Sequence, residues 1–292
     1  MTKKIGVGKA HSKIIWMGEH SVVYGYPAIA LPLKGIEVEC RIYPSQEPMV
    51  FDFYDSLSTA IYEALDFLNR TDVKISYAIR SEIPQQRGMG SSAAVSIAAI
   101  RAVFDYFNQS IDSHTLEILV NKAEIIAHAN PSGLDAKTCL SDKAITFIRN
   151  IGFDTLDFAL DAYLLIADTG IHGQTREAVE KVAQAEETNL PYLAALGDLT
   201  EMVQKAIQEK NSQKIGHLMT KAHAHLQALG VSINVADHLV KLSLENGALG
   251  AKMSGGGLGG CIIALASTKA DADKISEVLK EGGAVQTWIE KL

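Results

Sequence analysis

A glycine-rich turn that runs directly into an apolar helix constrains this sequence more than any other feature. The turn is Gly88-Met-Gly-Ser-Ser-Ala-Ala94, and the apolar spacing after its glycines predicts a buried helix over 91–107. The first N–H groups of such a helix have no partner within it, and its dipole places positive charge at that end. The glycines let the backbone approach closely, and the serines add hydroxyl groups. The pattern therefore predicts an anion site, with phosphate as the usual occupant.

Two common phosphate motifs fit this turn less well. It formally matches the G-x-G-x-x-A of dinucleotide folds, but seven residues, Pro84 among them, separate it from the preceding strand, which ends near Arg80. In the dinucleotide fold that strand feeds the turn directly, and a second strand follows. A Walker A loop needs Gly-Lys followed by Ser or Thr, which this turn lacks. From the residues alone, an ordinary helix entry built from small side chains stays open.

Charged side chains also lie where ligands are commonly bound. Glu19 and His20 follow an apolar strand, and Lys13 lies at the other end of that strand. Asp135 follows Asn130-Pro131, a pair typical of a capped helix start. Taken singly, a lone lysine is more simply interpreted as a solvated charge, and a lone histidine as a satisfied surface or core group.

The helix predicted over 114–129 carries Glu124, a candidate magnesium ligand, because Mg²⁺ prefers one or two protein oxygens together with phosphate oxygens and water. His128, one turn later, could share a face with it, but an ordinary helical pair is the simpler interpretation. The histidines at 217, 223 and 225 lie in an amphipathic helix and are interpreted as surface groups, since residues two apart do not face each other.

The stretch Gly255-Gly-Gly-Leu-Gly-Gly260 holds five glycines in six positions between two predicted strands. So many glycines cost too much chain entropy for an ordinary hairpin. They predict close approach to a ligand or to another part of the backbone.

Composition places the chain among ordinary globular proteins. Of its 292 residues 47% are hydrophobic and 21% are charged, and this length favours two domains. The net charge of −7 argues against nucleic acid as a partner. Cys40, Cys139 and Cys261 are expected to be reduced core thiols of a cytoplasmic protein. An apolar run suited to a signal peptide or a membrane span is absent from the sequence, so no membrane partner is expected.

Apolar periodicity predicts an α+β fold, in which strands mix with segregated helices, and a division into domains at residues 1–155 and 156–292. Strands are predicted over 36–43, 73–80, shortly after Asn150, and over 163–167, 248–253, 261–266 and 284–289. Helices are predicted over 56–69, 91–107, 114–129 and 270–280, and over most of 174–245 with breaks near 189–191, 211 and 230.

Taken together, three stretches resemble the hallmark motifs of the galactokinase, homoserine kinase, mevalonate kinase and phosphomevalonate kinase (GHMP) superfamily: Lys13 through Ala28, Pro84 through Ala94, and Lys252 through Cys261. Gly-Glu-His-Ser-Val-Val-Tyr-Gly-Tyr-Pro-Ala28 and Asn130-Pro-Ser-Gly-Leu-Asp135 are similar to its mevalonate kinase branch. A galactokinase would continue Gly-Glu-His with Thr-Asp, and a homoserine kinase would lack the Lys and Asp pair. The resemblance spans nearly the whole chain.

The resemblance implies two α+β domains with the active site in the cleft between them, and a reaction in which ATP phosphorylates the terminal hydroxyl of mevalonate. It implies that Asp135 takes the hydroxyl proton, that Lys13 beside it stabilises charge on the phosphoryl group, and that Ser92 and Glu124 bind Mg²⁺. It assigns Glu19, His20, Thr175 and Gly256 to the mevalonate site. The ATP phosphates would be held by Gly88, Met89, Gly90, Ser91, Ser92 and Ala93.

Two alternatives remain at this point. A phosphomevalonate kinase would need extra Lys or Arg for its more anionic substrate, and the Gly-Glu-His stretch offers only Lys13 and His20. A non-catalytic nucleotide sensor on the same fold would be expected to lose Asp135 or Lys13, and both are present. Many animal relatives have Gly-Ala-Gly where this chain has Gly255-Gly256-Gly257, which leaves the packing of that loop open. The helical region 174–245 could pack internally or form a homodimer.

Overall fold

The computed structural model describes residues 5–127, 133–157 and 159–292, and in it the chain forms two compact units. The first unit comprises Met1–Lys13, Pro32–Gln85 and Gly90–Asp142, and the second comprises Ile14–Leu31, Gln86–Met89 and Lys143–Leu292. Each unit is therefore assembled from separate stretches of the chain. Both mix helices and strands, which confirms the predicted α+β class.

The first unit packs helices on antiparallel strands. Strand β3 pairs with the second half of β2, from Val38↔Ser81 to Pro44↔Ile75. Helix α2 lies directly against β1, because methyl groups at Gly6 and Gly8 would come within 2.3 and 2.1 Å of backbone oxygens of α2. The elements are β1 (Gly6–Met17) as far as Lys13, β2 (Ala28–Pro44) from Pro32 onward, α1 (Ser56–Phe67), β3 (Ile75–Ser81), α2 (Ser91–Tyr106), α3 (Ser113–Ala127) and α4 (Leu134–Leu140).

The second unit is built on a four-stranded antiparallel sheet in the order β7-β8-β6-β9. Helices α8 and α9 cover it with a continuous apolar core that includes Leu165, Leu239, Ala264 and Ile275. Strand β4 pairs with β5 and with residues 28–30 of β2. The elements are β4 (Ala144–Ile148), β5 (Gly152–Leu156), β6 (Tyr163–Asp168), α5 (Thr175–Gln184), α6 (Glu186–Gln208), α7 (Ser212–Ala228), α8 (Asn234–Glu245), β7 (Gly250–Ser254), β8 (Cys261–Ala266), α9 (Lys269–Glu281) and β9 (Gln286–Lys291).

The alternation predicted for residues 36–43 is confirmed. Ile36, Val38, Cys40 and Ile42 are buried, whereas Glu37 and Arg41 are exposed. All three cysteines are free and buried, which confirms the prediction of reduced core thiols. Burial raises the pKa of the Cys40 thiol to about 12, so this thiol stays protonated and unreactive at neutral pH.

The helix break predicted at Pro191 is wrong. Helix α6 runs through Pro191, and the chain breaks instead at Ala185. Pro191 lies early in α6, where it removes one backbone hydrogen bond. Asn189 compensates for the break before it, since its side-chain amide donates to the Val182 carbonyl of α5 at 3.0 Å. Such a bridge between two helices cannot be seen from propensity alone.

The interpretation of the three α7 histidines as surface groups is wrong for His223. His217 is exposed and His225 is half-buried, but His223 is buried. Its Nδ1 accepts the Met253 N–H at 3.3 Å, and its Nε2 lies 3.2 Å from Asp237 Oδ1. Burial lowers the pKa of His223 to about 4, so its ring is neutral at pH 7.

Two predictions fall on residues outside the described ranges: the helix start at Asn130-Pro131 and the pairing of Glu124 with His128. The described helix nearest to that start is α4, which follows Gly133 in a left-handed conformation with φ 77°. In the described parts of the chain, none of the helices combines the length and the apolar character needed to span a membrane.

Candidate active site

Lys13 and Asp135 form the central ion pair of the first unit. Strand β1 carries Lys13 and the first turn of α4 carries Asp135, and their Nζ and Oδ1 atoms lie 2.6 Å apart. The lysine side chain is only 2% exposed, whereas the aspartate side chain is 38% exposed. A buried cation thus holds a carboxylate that a substrate can still reach. This arrangement suits a base that must accept a proton from a bound hydroxyl group.

Gly90 of the glycine-rich turn lies directly on Lys13. A methyl group on its α-carbon would come within 2.8 Å of Lys13 Cγ and 3.1 Å of Cys139 Sγ. Gly90 also has a left-handed backbone, with φ 69°, which favours glycine. Two independent constraints, conformation and space, therefore require glycine at this position. They place the start of α2 against the lysine stem.

Helix α2 begins at Ser91 immediately after that glycine, as the sequence predicts. Most of its side chains are buried and apolar, so packing fixes the helix in place. The N–H groups of its first turn have no acceptors inside the helix and stay available to an anion. The dipole of α2 adds positive charge at the same end.

Ser92 and Glu124 meet within the first unit. The Ser92 hydroxyl donates to Glu124 Oε1 at 2.7 Å, and Glu124 is buried on α3. A hydroxyl and a carboxylate oxygen beside the start of α2 fit Mg²⁺ that also binds phosphate oxygens and water. Among the described residues, clusters of three or more His, Cys, Asp or Glu suited to a metal are absent. With two protein oxygens, most positions around Mg²⁺ would be filled by phosphate oxygens and water.

Glu19 and Lys252 form a buried ion pair in the second unit. Glu19 follows the end of β1, and its Oε1 accepts a hydrogen bond from Lys252 Nζ of β7. Both side chains are almost fully buried. Burial raises the pKa of the Glu19 carboxyl and lowers that of Lys252, while their attraction opposes both shifts. Glu19 Oε2 is buried as well, and backbone N–H groups of Glu19 and Gly255 beside the carboxylate further oppose the rise of its pKa.

His20 contacts the glycine-rich loop that joins β7 to β8. Its Nε2 lies 2.8 Å from the Gly256 carbonyl oxygen, and its backbone has a positive φ of 63°. Burial lowers the pKa of His20 to about 4, so the ring is neutral at pH 7 and donates to this carbonyl. The strained backbone and the hydrogen bond together hold the ring in one orientation.

The loop over 255–260 is packed against other backbone, as its glycines predict. A methyl group at Gly256 would come within 2.3 Å of Thr175 Oγ1, at the first residue of α5. One at Gly259 would come within 2.3 Å of the His172 carbonyl oxygen. A methyl group at Gly255 would lie 3.4 Å from the Gly88 α-carbon. An alanine at 256 therefore does not fit beside Thr175 in this arrangement, which resolves the packing that the sequence left open.

The residues before Gly88 are anchored by contacts that the sequence did not reveal. Arg87 Nε donates to Asp168 Oδ1 at 2.5 Å, and an Arg87 NH group lies 2.9 Å from His172 Nδ1. The Gly173 N–H donates to the Gln86 carbonyl at 2.8 Å. These contacts fix residues 86 and 87 at the end of β6. Arg87, Asp168 and Lys252 were not among the predicted site residues, because a single charged residue in a sequence is most simply interpreted as solvated.

The predicted site residues thus fall into two groups. The first unit brings together Lys13, Asp135, Gly90, Ser91, Ser92, Ala93 and Glu124. The second unit contains Glu19, His20, Gly88, Met89, Thr175 and Gly256.

Two family models match the chain. The GHMP kinases N terminal domain matches residues 59–143, and the GHMP kinases C terminal domain matches residues 203–285. The predicted domain boundary near residue 155 falls between the two matched regions. A mevalonate kinase of Pyrococcus furiosus is 31% identical over 301 aligned residues, which cover 90% of each chain.

Solved structures agree with the sequence relatives. The mevalonate kinase of methicillin-resistant Staphylococcus aureus MRSA252 has a TM-score of 0.78 and 31% identity, with 99% of both chains covered. A mevalonate kinase of L. major in complex with R-mevalonate has a TM-score of 0.86 and 26% identity, and the match covers 99% of this chain and 98% of that one.

Proposed function

Because the chain belongs to the GHMP kinases and, within them, to the mevalonate kinases, we propose that it transfers the γ-phosphoryl group of ATP to the terminal hydroxyl of mevalonate. The products are 5-phosphomevalonate and ADP, an early step of isoprenoid precursor synthesis by the mevalonate pathway. The ion pair of Lys13 and Asp135 is the observation that best supports this mechanism.

Asp135 is the proposed general base. Its exposed carboxylate accepts the proton of the terminal hydroxyl as the oxygen attacks the γ-phosphorus of ATP. Lys13 holds that carboxylate by its 2.6 Å contact and lends positive charge to the phosphoryl oxygens, where negative charge is spread during transfer. Because Lys13 is buried, water screens its charge little, which strengthens both effects. The protein thus supplies position and electrostatics rather than a covalent intermediate.

The turn and the start of α2 are the proposed ATP phosphate site. The backbone N–H groups of residues 88–93 and the α2 dipole are suited to bind its phosphates. Ser92 and Glu124 are the proposed Mg²⁺ ligands of the protein. When bound, Mg²⁺ would neutralise charge on the ATP phosphates. Glu124 also keeps the Ser92 hydroxyl directed to one side through their 2.7 Å hydrogen bond.

Glu19, His20, Thr175 and Gly256 are the proposed mevalonate contacts. The charges in this group favour mevalonate over its phosphorylated product as the acceptor. Lys252 is already paired with Glu19, and His20 is neutral at pH 7. The phosphate group of phosphomevalonate would therefore find little compensating positive charge here.

The test is ADP release with Mg²⁺-ATP and, in separate reactions, mevalonate, phosphomevalonate, homoserine and galactose as acceptors. We expect turnover with mevalonate alone. Turnover with phosphomevalonate instead would support the nearest alternative kinase and reassign the residues around His20. ATP binding without turnover on any acceptor would support a nucleotide sensor. A cytoplasmic location and a homodimer stay predictions, which cell fractionation and light scattering can check.

A further inference from the structure

Ser56 lies beside the proposed magnesium ligand Ser92. It is the first residue of α1, and its hydroxyl oxygen is 3.0 Å from Ser92 Oγ. Ser92 in turn donates to Glu124 Oε1 at 2.7 Å. All three residues belong to the first unit and form one short chain of hydrogen bonds. The family resemblance assigns no role to Ser56.

Counting the hydroxyl hydrogens shows which residue donates in each of these hydrogen bonds. A serine hydroxyl has one hydrogen and two lone pairs, and an ionised carboxylate can only accept. Since the single hydrogen of Ser92 goes to Glu124, the hydrogen between the two serines must come from Ser56. Ser92 therefore accepts from Ser56 with one lone pair and keeps the other. That remaining lone pair is the one with which a cation can interact.

The position of Ser56 is itself fixed by the start of α1. Asp55 caps the helix, because its Oδ2 accepts the Ser58 N–H at 2.8 Å. The Ser58 hydroxyl accepts the Asp52 N–H, also at 2.8 Å, which ties the preceding loop to the helix. The Ser56 hydroxyl is thus presented to Ser92 from a rigid helix end.

We propose that Ser56 is a positioning residue for the magnesium site: its hydrogen bond sets the rotation of the Ser92 hydroxyl so that one lone pair remains directed away from both Ser56 and Glu124. The proposal rests on the proposed function, in which Ser92 and Glu124 bind the Mg²⁺ that accompanies ATP. It adds a third residue that touches neither the metal nor the substrates. Ser56 should therefore affect nucleotide binding only when Mg²⁺ is present.

The experiment measures binding of the non-hydrolysable ATP analogue AMP-PNP by titration calorimetry, once with Mg²⁺ and once with EDTA. In the unmodified protein, Mg²⁺ should strengthen binding, and the ratio of the two Kd values measures the metal contribution. Ser56→Ala should reduce this ratio by roughly three- to ten-fold, the loss expected for one ordinary hydrogen bond. Binding in EDTA should be unchanged. Ser56→Thr, which keeps a hydroxyl donor, should restore the ratio.

Ser45→Ala is the matched control, because it removes from the same unit a hydroxyl that accepts the Glu47 N–H and has no part in positioning Ser56 or Ser92. It should leave the ratio unchanged. Ser92→Ala should abolish most of the Mg²⁺-dependent gain. A normal ratio in Ser56→Ala, with the gain lost in Ser92→Ala, would overturn the role of Ser56 and leave the kinase intact. A normal ratio in Ser92→Ala would overturn the magnesium assignment and the Ser56 inference together, while mevalonate turnover would still test the kinase separately.

Discussion

Lys13 is buried and Asp135 is partly exposed, although their charged atoms are only 2.6 Å apart. This asymmetry separates the tasks of the two groups. The lysine stem packs against Gly90, whereas 38% of the aspartate side chain is exposed. A pair of this kind fixes a base without hiding it.

Asp135→Asn should lower kcat by several powers of ten, because the amide cannot accept the hydroxyl proton, while ATP still binds. Lys13→Met should lower kcat by a similar factor. The matched control is Lys137→Met, on the same helix as Asp135. It breaks the 2.7 Å pair with Glu117 and should change kcat less than about two-fold. Steady-state kinetics and ATP titration check all three variants. If Asp135→Asn kept most of its turnover, the assignment of the base would be wrong.

Glu124→Gln should raise the Mg²⁺ concentration needed for half-maximal activity, since a neutral amide is a weaker ligand than a carboxylate. The Ser92 hydroxyl can still donate to the amide oxygen, so the fold around it should be retained. A magnesium titration at saturating ATP is the measurement. An unchanged titration curve would remove Glu124 from the metal site.

Gly256→Ala should weaken mevalonate binding, because the added methyl group would meet Thr175 Oγ1 at 2.3 Å and push apart two proposed substrate contacts. We expect KM for mevalonate to rise by roughly ten-fold or more, as for a strained contact of 1–3 kcal/mol. Gly173→Ala is the control, since its methyl group would find its nearest neighbour at 3.4 Å. Equal effects of the two variants would show that the crowding at Thr175 is not the cause.

Lys252→Met should destabilise the protein by about 3–5 kcal/mol, because it leaves the Glu19 carboxylate buried without its cation. The double variant Glu19→Gln with Lys252→Met should recover much of that loss, since both buried charges are then gone. Urea unfolding gives the free energy for each variant. Equal destabilisation in the single and double variants would mean that the lost charge pairing does not explain the effect.

Burial of His20 and His223 predicts that the protein becomes less stable as the pH falls. The folded pKa of His223 is about 4 and its ordinary value is 6.5, so between these pH values the unfolded chain binds a proton that the folded chain does not. The free energy of unfolding therefore decreases as pH falls from about 6.5 to about 4, by up to about 1.4 kcal/mol per pH unit for one proton.

His20, whose folded pKa is also about 4, acts in the same direction. His223→Gln removes one of the two titrating imidazoles, so the free energy of unfolding should decrease less steeply over this pH range. The measurement is urea unfolding at several pH values between 4 and 7. A slope unchanged by the substitution would show that His223 does not titrate as its burial indicates.

Local features of the site could be predicted from the sequence because they depend on neighbouring residues. The turn at Gly88 and the start of α2 follow from glycine conformation, small side chains and apolar spacing. The pairing of Lys13 with Asp135 was expected only through the family resemblance, since one sequence contains no information about distances between remote residues. The structure shows the contact directly.

Other features depend on tertiary packing and could not be predicted. A lysine on a strand is usually solvated, yet Lys252 lies fully buried next to Glu19. The role of Arg87 cannot be predicted from its neighbours in sequence, because its partner Asp168 is supplied by the remote strand β6. His223 shares its helix with two less buried histidines, and only the packing of β7 and α8 against α7 distinguishes it. In each case a charged or titratable group is enclosed by an element remote in the chain.

The most direct test of the central claim is phosphorus NMR of the reaction of the purified protein with ATP, Mg²⁺ and mevalonate. We predict that the γ-phosphorus signal of ATP is replaced, mole for mole, by a phosphate ester whose coupling to two adjacent protons identifies the terminal CH₂ oxygen. Release of inorganic phosphate without an ester, or an ester on another oxygen, would contradict the account.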